Sequence, residues 1–400
     1  MANVMAAATV TDSLAEAAFP LGAGAGDGAV RVTEIRGERE IERLRPAWNE
    51  TLEHIPGATV FQTWEWQYTW LRHFGRRGTA LVLLLSDASA GGKPFGIAPF
   101  VIRPYVVPQL RELAFLGTGV SDYLDVIVHP DKRSDAMAAV GEYLESCGGE
   151  WDFVDLHQIP EAGAAVELAE IVGRPPGMSA EVVEHEVCPV VDLPDSWEDY
   201  TRSLGKSLRF NIGYYERSLR KQYKVEIGAA DESNLNEEME ALFRLHGRRW
   251  RKRWLPGVLA SRKVREFHRE VARRFLDCGR LRLYYLKLDG VTRASLYCFA
   301  FKDAMYYYLG GFEPEMAKYG LGTILTAHAI REAIQSGLSR FDLLRGNEEY
   351  KRRWKPRLTV NSRLFVRKSG ARSHTAAALH RLEGRAERAF KERVMGIRGS

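Results

Sequence analysis

Cysteine is scarce in this 400-residue chain. The four present, Cys147, Cys188, Cys278 and Cys298, are scattered, with no pair at a metal-ligand spacing and no C-x-x-C. That excludes a cysteine-built zinc site and a dithiol redox centre, and it makes the reducing cytoplasm the expected compartment. Long apolar runs are missing as well. No stretch approaches 18 uncharged apolar residues, so no membrane-spanning helix is expected. The first thirty residues hold no Lys or Arg but do hold Asp12, Glu16 and Asp27, which does not fit a secretory signal. Charge of one sign is not in large excess. Lys and Arg number 57 against 52 Asp and Glu, a net charge of +5, which is too weak by itself to argue for nucleic acid.

What is there is an ordinary globular balance, 45% hydrophobic and 27% charged, in a chain long enough for two or three domains. Residues 1–28, rich in Ala and Gly, read as a flexible leader. The strand "AVRVTEI" follows, then a helix around "ERLRPAWNETLEHI" and the aromatic block "FQTWEWQYTWLRHFG". "TALVLLLS" and "KPFGIAPFVIRP" read as a hairpin. "LRELAFLG" and "YLDVIVHP" read as strands, "DKRSDAMAAVGEYLESCGG" as a helix, "WDFVDLHQI" as a strand, "PEAGAAVELAEIVG" as a further helix and "AEVVEHEVCPVVDLP" as a long strand. The same order then repeats with a period near 170 residues. "SWEDYTRSLGKSLRFNIGYYERSLRKQY" is helical with a break near Gly205, and "KVEIGA" is a strand. Two helices follow, and then a meander "RLRLYYLKLDG", "VTRASLYCFAFKD", "AMYYYLGGF" whose first turn carries the Asp-Gly hairpin signal. "GLGTILTAHAIREAIQSG" is a helix, and "SRFDLLRG" and "LTVNSRLFVRK" are strands. The fold class is therefore mixed α+β, two tandem domains at 29–194 and 195–370, each a mostly antiparallel sheet flanked by helices. Residues 371–400 predict a basic helical tail, with Leu379, Leu382, Ala386, Phe390 and Val394 at helical spacing. That tail would either pack on the domain or lie on an anionic membrane surface.

Three stretches carry candidate chemistry. In "LGGFEPEMAKYGLGT" a strand ends in Gly310-Gly311, and Tyr319-Gly320-Leu321-Gly322-Thr323 open a helix, with Lys318 just before. A glycine-opened helix start lets backbone N–H groups approach an anion, and pyrophosphate would suit it. In "FDLLRGNEEYKRRWKP", Asp342 on a central strand is costly unless paired. It is either a paired acid holding the Gly346 turn or a site carboxylate. Tyr350, Lys351 and Trp354 would share one helical face, with Arg352 and Arg353 facing away. In "RLHGRRWRKRW", His246 and Trp250 are four apart on one helix face, and His246 can take a proton near neutrality. The arginines there read as a solvated side. In the first domain Asp122 and Tyr123 follow a glycine loop, and Trp64 and Trp66 either contact a ligand or form a core wedge.

"LGGFEPEMAKYGLGTILTAHAIREAIQSGLSRFDLLRGNEEYKRRW" resembles the C-terminal half of the GNAT-superfamily acyltransferases related to CelD, which are near cousins of the FemABX aminoacyltransferases. "FQTWEWQYTW", "SDYLDVIV" and "RLHGRRWRKR" look like further landmarks, and together they span roughly residues 60–367. The resemblance implies tandem GNAT-like folds, the N-terminal one degenerate. It implies acetyl-CoA or another acyl-CoA as co-substrate, no metal, and a small-molecule or saccharide acceptor with an amine or hydroxyl. The donor's pantetheine would enter where two strands splay. Tyr308, Gly310, Gly311, Lys318, Tyr319, Gly320, Gly322 and Thr323 would hold it, although the position that is Gln or Arg in the family's loop is Ala317 here. His246, Asp342 or Asp122 would serve as base or proton path, and Tyr350 would protonate the leaving thiolate. Trp64, Trp66, Tyr123, Trp250, Gly346, Glu349, Lys351 and Trp354 would contact the acceptor. Two alternatives stand beside this reading. One is an aminoacyl-tRNA donor, using the basic stretches "RSLRKQYK" and "RRWRKRW". The other is a non-catalytic binding protein on the same fold. Otherwise no nucleic-acid partner is expected, and the oligomeric state is left open.

Overall fold

The computed structural model describes residues 18–19, 29–88, 93–105, 110–173, 177–251 and 257–370, so the expected tail at 371–400 lies outside the described residues. The chain divides into two compact units. One runs to Glu186 and takes up the chain again from Val360, and the other is Val187–Thr359. The expected boundary was near Pro194. Instead the division falls inside the strand Met178–Asp192, because its last residues, Val190–Asp192, already pair with Arg340–Asp342 of the second unit.

The first unit is built on β1 (Val30–Ile35), β2 (Thr79–Asp87), β3 (Pro94–Pro104), β4 (Arg111–Phe115), the two-residue β5 (Ile127–Val128) and β6 (Phe153–Ile159). β1, β2, β3 and β4 pair antiparallel in sequence order, and β4 pairs parallel with β6. Helices α1 (Glu38–Arg43), α2 (Arg45–Glu53) and α3 (Trp64–Phe74) precede the hairpin; α4 (Arg133–Ser146) and the short α5 (Leu168–Val172) flank β6. The expected strand "YLDVIVHP" shrinks to Ile127–Val128. Asp125 draws the chain away, its carboxylate accepting from the backbone N–H of Ala164 and Ala165 at 2.6 and 2.8 Å. The core lies between the sheet and α4, around Leu83, Phe100, Phe115, Met137, Val154 and Leu364.

In the second unit β7 (Met178–Asp192) is followed by α6 (Trp197–Ser203) and α7 (Lys206–Arg220), which break at Gly205 as the sequence predicts. Then come β8 (Val225–Ala229), α8 (Leu235–Arg251), α9 (Arg262–Asp277) and the meander β9 (Leu281–Leu288), β10 (Val291–Phe301), β11 (Ala304–Phe312). Asp289 and Gly290 both have positive φ, as a tight Asp-Gly hairpin demands. α10 (Leu321–Gln335), β12 (Arg340–Asp342) and the one-turn α11 (Glu349–Arg352) complete this unit, and β13 (Arg357–Lys368), most of which belongs to the first unit, pairs antiparallel with β6. β8 through β11 pair antiparallel, and β11 pairs parallel with β12. Each unit thus carries one parallel pair in an otherwise antiparallel sheet.

Two irregularities shape β11. Its register against β10 shifts after Tyr307↔Cys298, so that Leu309 faces Tyr297 and Tyr308 is the extra residue of a bulge. Its parallel pairing with β12 runs from Ala304↔Arg340 only to Tyr306↔Asp342. Beyond Asp342 the chain turns toward β7, with Leu343 N–H donating to Pro189 O and Gly346 N–H to Val187 O. The two parallel strands therefore part at Tyr306 and Asp342.

Candidate active site

A cleft of about 370 Å³ opens beside the splayed part of β11, within the usual range for small-molecule sites. β10 contributes Ala294–Leu296, and β11 contributes Tyr307, Gly310, Gly311 and Phe312. α10 contributes its first turn, Leu321, Gly322 and Thr323, with Gly320 before it. Leu208 and Tyr215 of α7, Arg249 of α8, and Tyr350, Arg353 and Trp354 close the sides.

Gly320 is required here twice over. It is left-handed (φ +62°), and a Cβ on it would lie 2.3 Å from the Tyr215 ring. No side chain caps α10, so its first N–H groups are available at the wall of the cleft. Gly311 has a different task. A Cβ there would sit 2.6 Å from the backbone nitrogen of His246, so the glycine lets α8 lie directly on β11.

Two arginines bring positive charge. Arg249 reaches the cleft with its guanidinium 5.4 Å from the Phe312 ring centre. Among the described residues neither Arg249 nor Arg353 is ion-paired. The tyrosine hydroxyls beside them are firmly protonated. Burial pushes Tyr307 up to about 12. Burial, then Tyr307 and Glu348, hold Tyr350 well above the usual tyrosine range. The cleft therefore offers two cations, a helix N-terminus and a pair of tyrosine hydroxyls hydrogen-bonded to each other, a set suited to an anionic ligand.

The expected residues divide into three groups. Gly310, Gly311, Gly320, Gly322, Thr323, Tyr350 and Trp354 come together on this cleft. A second group lies in the same unit but does not line it. The bulge turns Tyr308 to the opposite face, against His268 and Phe299. Lys318 lies over Tyr319, whose hydroxyl donates to Gln222 Oε1 at 2.8 Å. Asp342 is a turn-holding acid, its Oδ1 accepting from Leu344 N–H at 2.8 Å where Leu344 has φ +58°. Lys351, expected at the acceptor, is buried with its ammonium on the carbonyls of Leu344, Arg345 and Gly346. Glu349 is exposed. His246 is buried behind Gly311, 5.9 Å from Trp250 between ring centres, and its Nδ1 has no hydrogen-bond partner among the described residues. Burial, then Arg249, lower its pKa to about 4, so the ring is neutral at pH 7. The third group belongs to the first unit. Trp64, Trp66 and Tyr123 are core residues there, with Trp66 donating to Ser121 Oγ at 2.8 Å, and Asp122 is buried beside them.

Arg249, Arg353, Tyr307 and Tyr215 are among the lining residues that sequence reasoning did not place at the site. Arg353 was expected to face away. α11 is a single turn continued by i→i+3 bonds, Trp354 N–H to Lys351 O and Lys355 N–H to Arg352 O, and that tighter spacing sets Arg353 on the side of Tyr350. Arg249 could have been found as the residue one turn beyond His246.

The first unit has a cleft of its own, about 440 Å³, with Glu112, Asp155, His157 and Arg363 among its lining residues and Trp70 and Phe74 at its side. The ligand atoms of Glu112, Asp155 and His157 lie within 4.8 Å of one another. Both acids are already engaged, Glu112 by Arg103 at 3.0 and 3.2 Å and Asp155 by Arg363 at 2.7 and 2.5 Å.

Residues 206–352, which hold the whole lining of the splayed cleft except Arg353 and Trp354, match the family described as acetyltransferase (GNAT) domain. The match covers less than half of the chain. No curated protein sequence matches the chain. Among solved structures, the chain is similar to FemX, at 9% identity and a TM-score of 0.59, covering 83% of this chain and 96% of that one. It is also similar to the C-terminal domain of a putative lysylphosphatidylglycerol synthetase from Agrobacterium fabrum, at 11% identity and 0.50, covering 91% and 99%. L-PGS from Bacillus licheniformis matches at 14% identity and 0.50, covering 84% and 96%. At such identities the likeness is one of fold. The comparisons thus show a match to an acetyltransferase (GNAT) domain over residues 206–352 and, for the whole chain, a mixed α+β fold like that of FemX.

Proposed function

We propose that this protein transfers an acyl group from an acyl-CoA thioester to the amine or hydroxyl of a small-molecule or saccharide acceptor. The observation that carries the reading is the splay of β11 from β12, with a glycine-opened helix start and two unpaired arginines on the cleft it makes. The acyl-CoA pyrophosphate would lie on the first turn of α10 and its pantetheine along the unpaired edge of β11. The acceptor's nitrogen or oxygen attacks the thioester carbon, the C–S bond breaks, and Tyr350 gives its proton to the departing thiolate. The acceptor's proton leaves to solvent through the open side of the cleft, since His246, the candidate base, is buried behind Gly311 and does not line it. Placing both reactants in one cleft supplies most of the rate gain, and the proton transfers supply the rest. Metal chemistry has no part in this scheme, and saccharide chemistry for the acceptor rests on the family resemblance alone.

Calorimetric titration with acetyl-CoA and longer acyl-CoAs tests the reading, followed by detection of free thiol in an acceptor screen. Saturable binding of an acyl-CoA is expected, weakened by Arg249→Gln. Failure of every CoA thioester to bind would sink the proposal. The likeness of fold to FemX supports one second reading, an aminoacyl-tRNA donor, which salt-sensitive binding of charged tRNA would favour.

A further inference from the structure

α7 has two faces of opposite character. Leu208, Ile212 and Leu219 are buried, and Leu208 and Tyr215 line the cleft. On the other side Phe210 is 63% and Tyr214 49% exposed, and no other large hydrophobic of this helix is so exposed. Their rings stack on each other, 5.6 Å apart and 15° from parallel. Lys206, Arg217 and Lys221 extend the same stripe at i−4, i+7 and i+11 from Phe210, with Arg209 at its edge, and all four are exposed. Glu216 is the one acid on the helix, and Arg220 already holds it at 2.8 Å. The outer face is therefore an aromatic pair flanked by uncompensated cations.

We infer that the outer face of α7 docks on an anionic lipid surface. The aromatic pair would enter the headgroup boundary, and the cations would meet the lipid phosphates. The chemistry favours lipid over RNA. A phenyl ring this exposed gains from leaving water, whereas two rings stacked on each other leave no gap for a base between them. The attachment would be peripheral, since no helix among the described residues is long and apolar enough to cross a membrane. Docking there would hold the cleft, which the inner face of the same helix lines, one helix diameter, roughly 10 Å, from the headgroup layer. This inference stands apart from the choice of acyl donor.

The test is co-sedimentation of the full chain with phosphatidylcholine vesicles, with and without phosphatidylglycerol, at low and high salt. Two variants accompany the wild type, Phe210→Ser/Tyr214→Ser and Lys206→Glu/Arg209→Glu/Arg217→Glu, each with a matching Tm as the check on folding. Binding is expected to anionic vesicles only and to fall with salt. The aromatic variant should bind about tenfold more weakly. In the charge variant each cation reversed to Glu should cost at least about fivefold, since it removes one attractive charge and adds a repulsive one. Absence of binding to anionic vesicles at low salt overturns the inference. So does binding that both variants leave unchanged, which would assign it to another segment. If tRNA binds more tightly than the vesicles and the aromatic variant abolishes that binding, the surface is an RNA site and the inference also fails.

Discussion

Replacing Lys351 by methionine tests whether one buried ammonium holds the rim of the cleft. Its Nζ donates to the carbonyls of Leu344, Arg345 and Gly346 at 3.2, 2.7 and 3.2 Å and lies 3.0 Å from Glu348 Oε2. Methionine keeps the apolar stem and removes all three donors. A hydrogen bond to a charged group is worth about 1.5–3 kcal/mol, and an unsatisfied buried carbonyl costs about 1–3 kcal/mol. Bonds that share one donor do not add, and Gly346 O is partly open to water, so a loss of about 3–5 kcal/mol is expected rather than the sum. At a urea slope of about 2 kcal/mol/M this moves the midpoint of the second unit by about 2 M. Urea titration followed by tryptophan fluorescence reads the shift, and calorimetry reads the donor affinity. Affinity should fall as well, because Tyr350, Arg353 and Trp354 ride on the turn that Lys351 fixes. A loss below about 1 kcal/mol, or full stability with the affinity unchanged, would refute the reasoning.

Three other outcomes are expected. His246 has a folded pKa of about 4 against an ordinary 6.5, so its neutral form stabilises the fold fully above pH 6.5. That contribution, about 3 kcal/mol, is lost as the pH falls from 6.5 toward 4, and Tm against pH should flatten over this window in His246→Leu. Gly311→Ala would press a methyl against the backbone of Leu245 and His246; a cost of about 2 kcal/mol is expected in chemical denaturation, and a stability equal to wild type would show that α8 yields freely. Tyr350→Phe should leave acyl-CoA affinity within about twofold while lowering turnover by about 10²-fold, and an unchanged kcat removes Tyr350 from the proton path.

Much of the architecture is legible in the sequence because its signals are local. The Asp-Gly turn, the break at Gly205 and the glycine start of α10 all fall where the residues put them. The site is less legible. Gly310, Gly320, Gly322 and Thr323 were found because glycine punctuation marks backbone positions. Asp342 and Lys351 drew attention as charged residues in an apolar context, yet both spend that charge on nearby backbone groups, which no spacing rule foretells. Trp64 and Trp66 show the same ambiguity, resolved by burial into a core wedge. Arg249 was missed because it stands in a run of arginines that reads as a solvated helix side, although its place one turn beyond His246 puts it beside the cleft.

The bulge at Tyr308 has a consequence for what this strand can tolerate. Along β11, Tyr307 and Gly310 look to the α10 side, three residues apart where a regular strand would require two or four. The alternation changes parity in mid-strand, and the odd residue absorbs the change. Deleting Tyr308 would restore an unbroken ladder and leave Gly310, Gly311 and Phe312 facing as they do now. Inserting a residue between Leu309 and Gly310 would invert all three, turning Gly311 away from α8 and the Phe312 side chain toward it. A one-residue loss should therefore be milder than a one-residue gain two positions later, and variation in length along β11 should be lopsided in the direction of shortening.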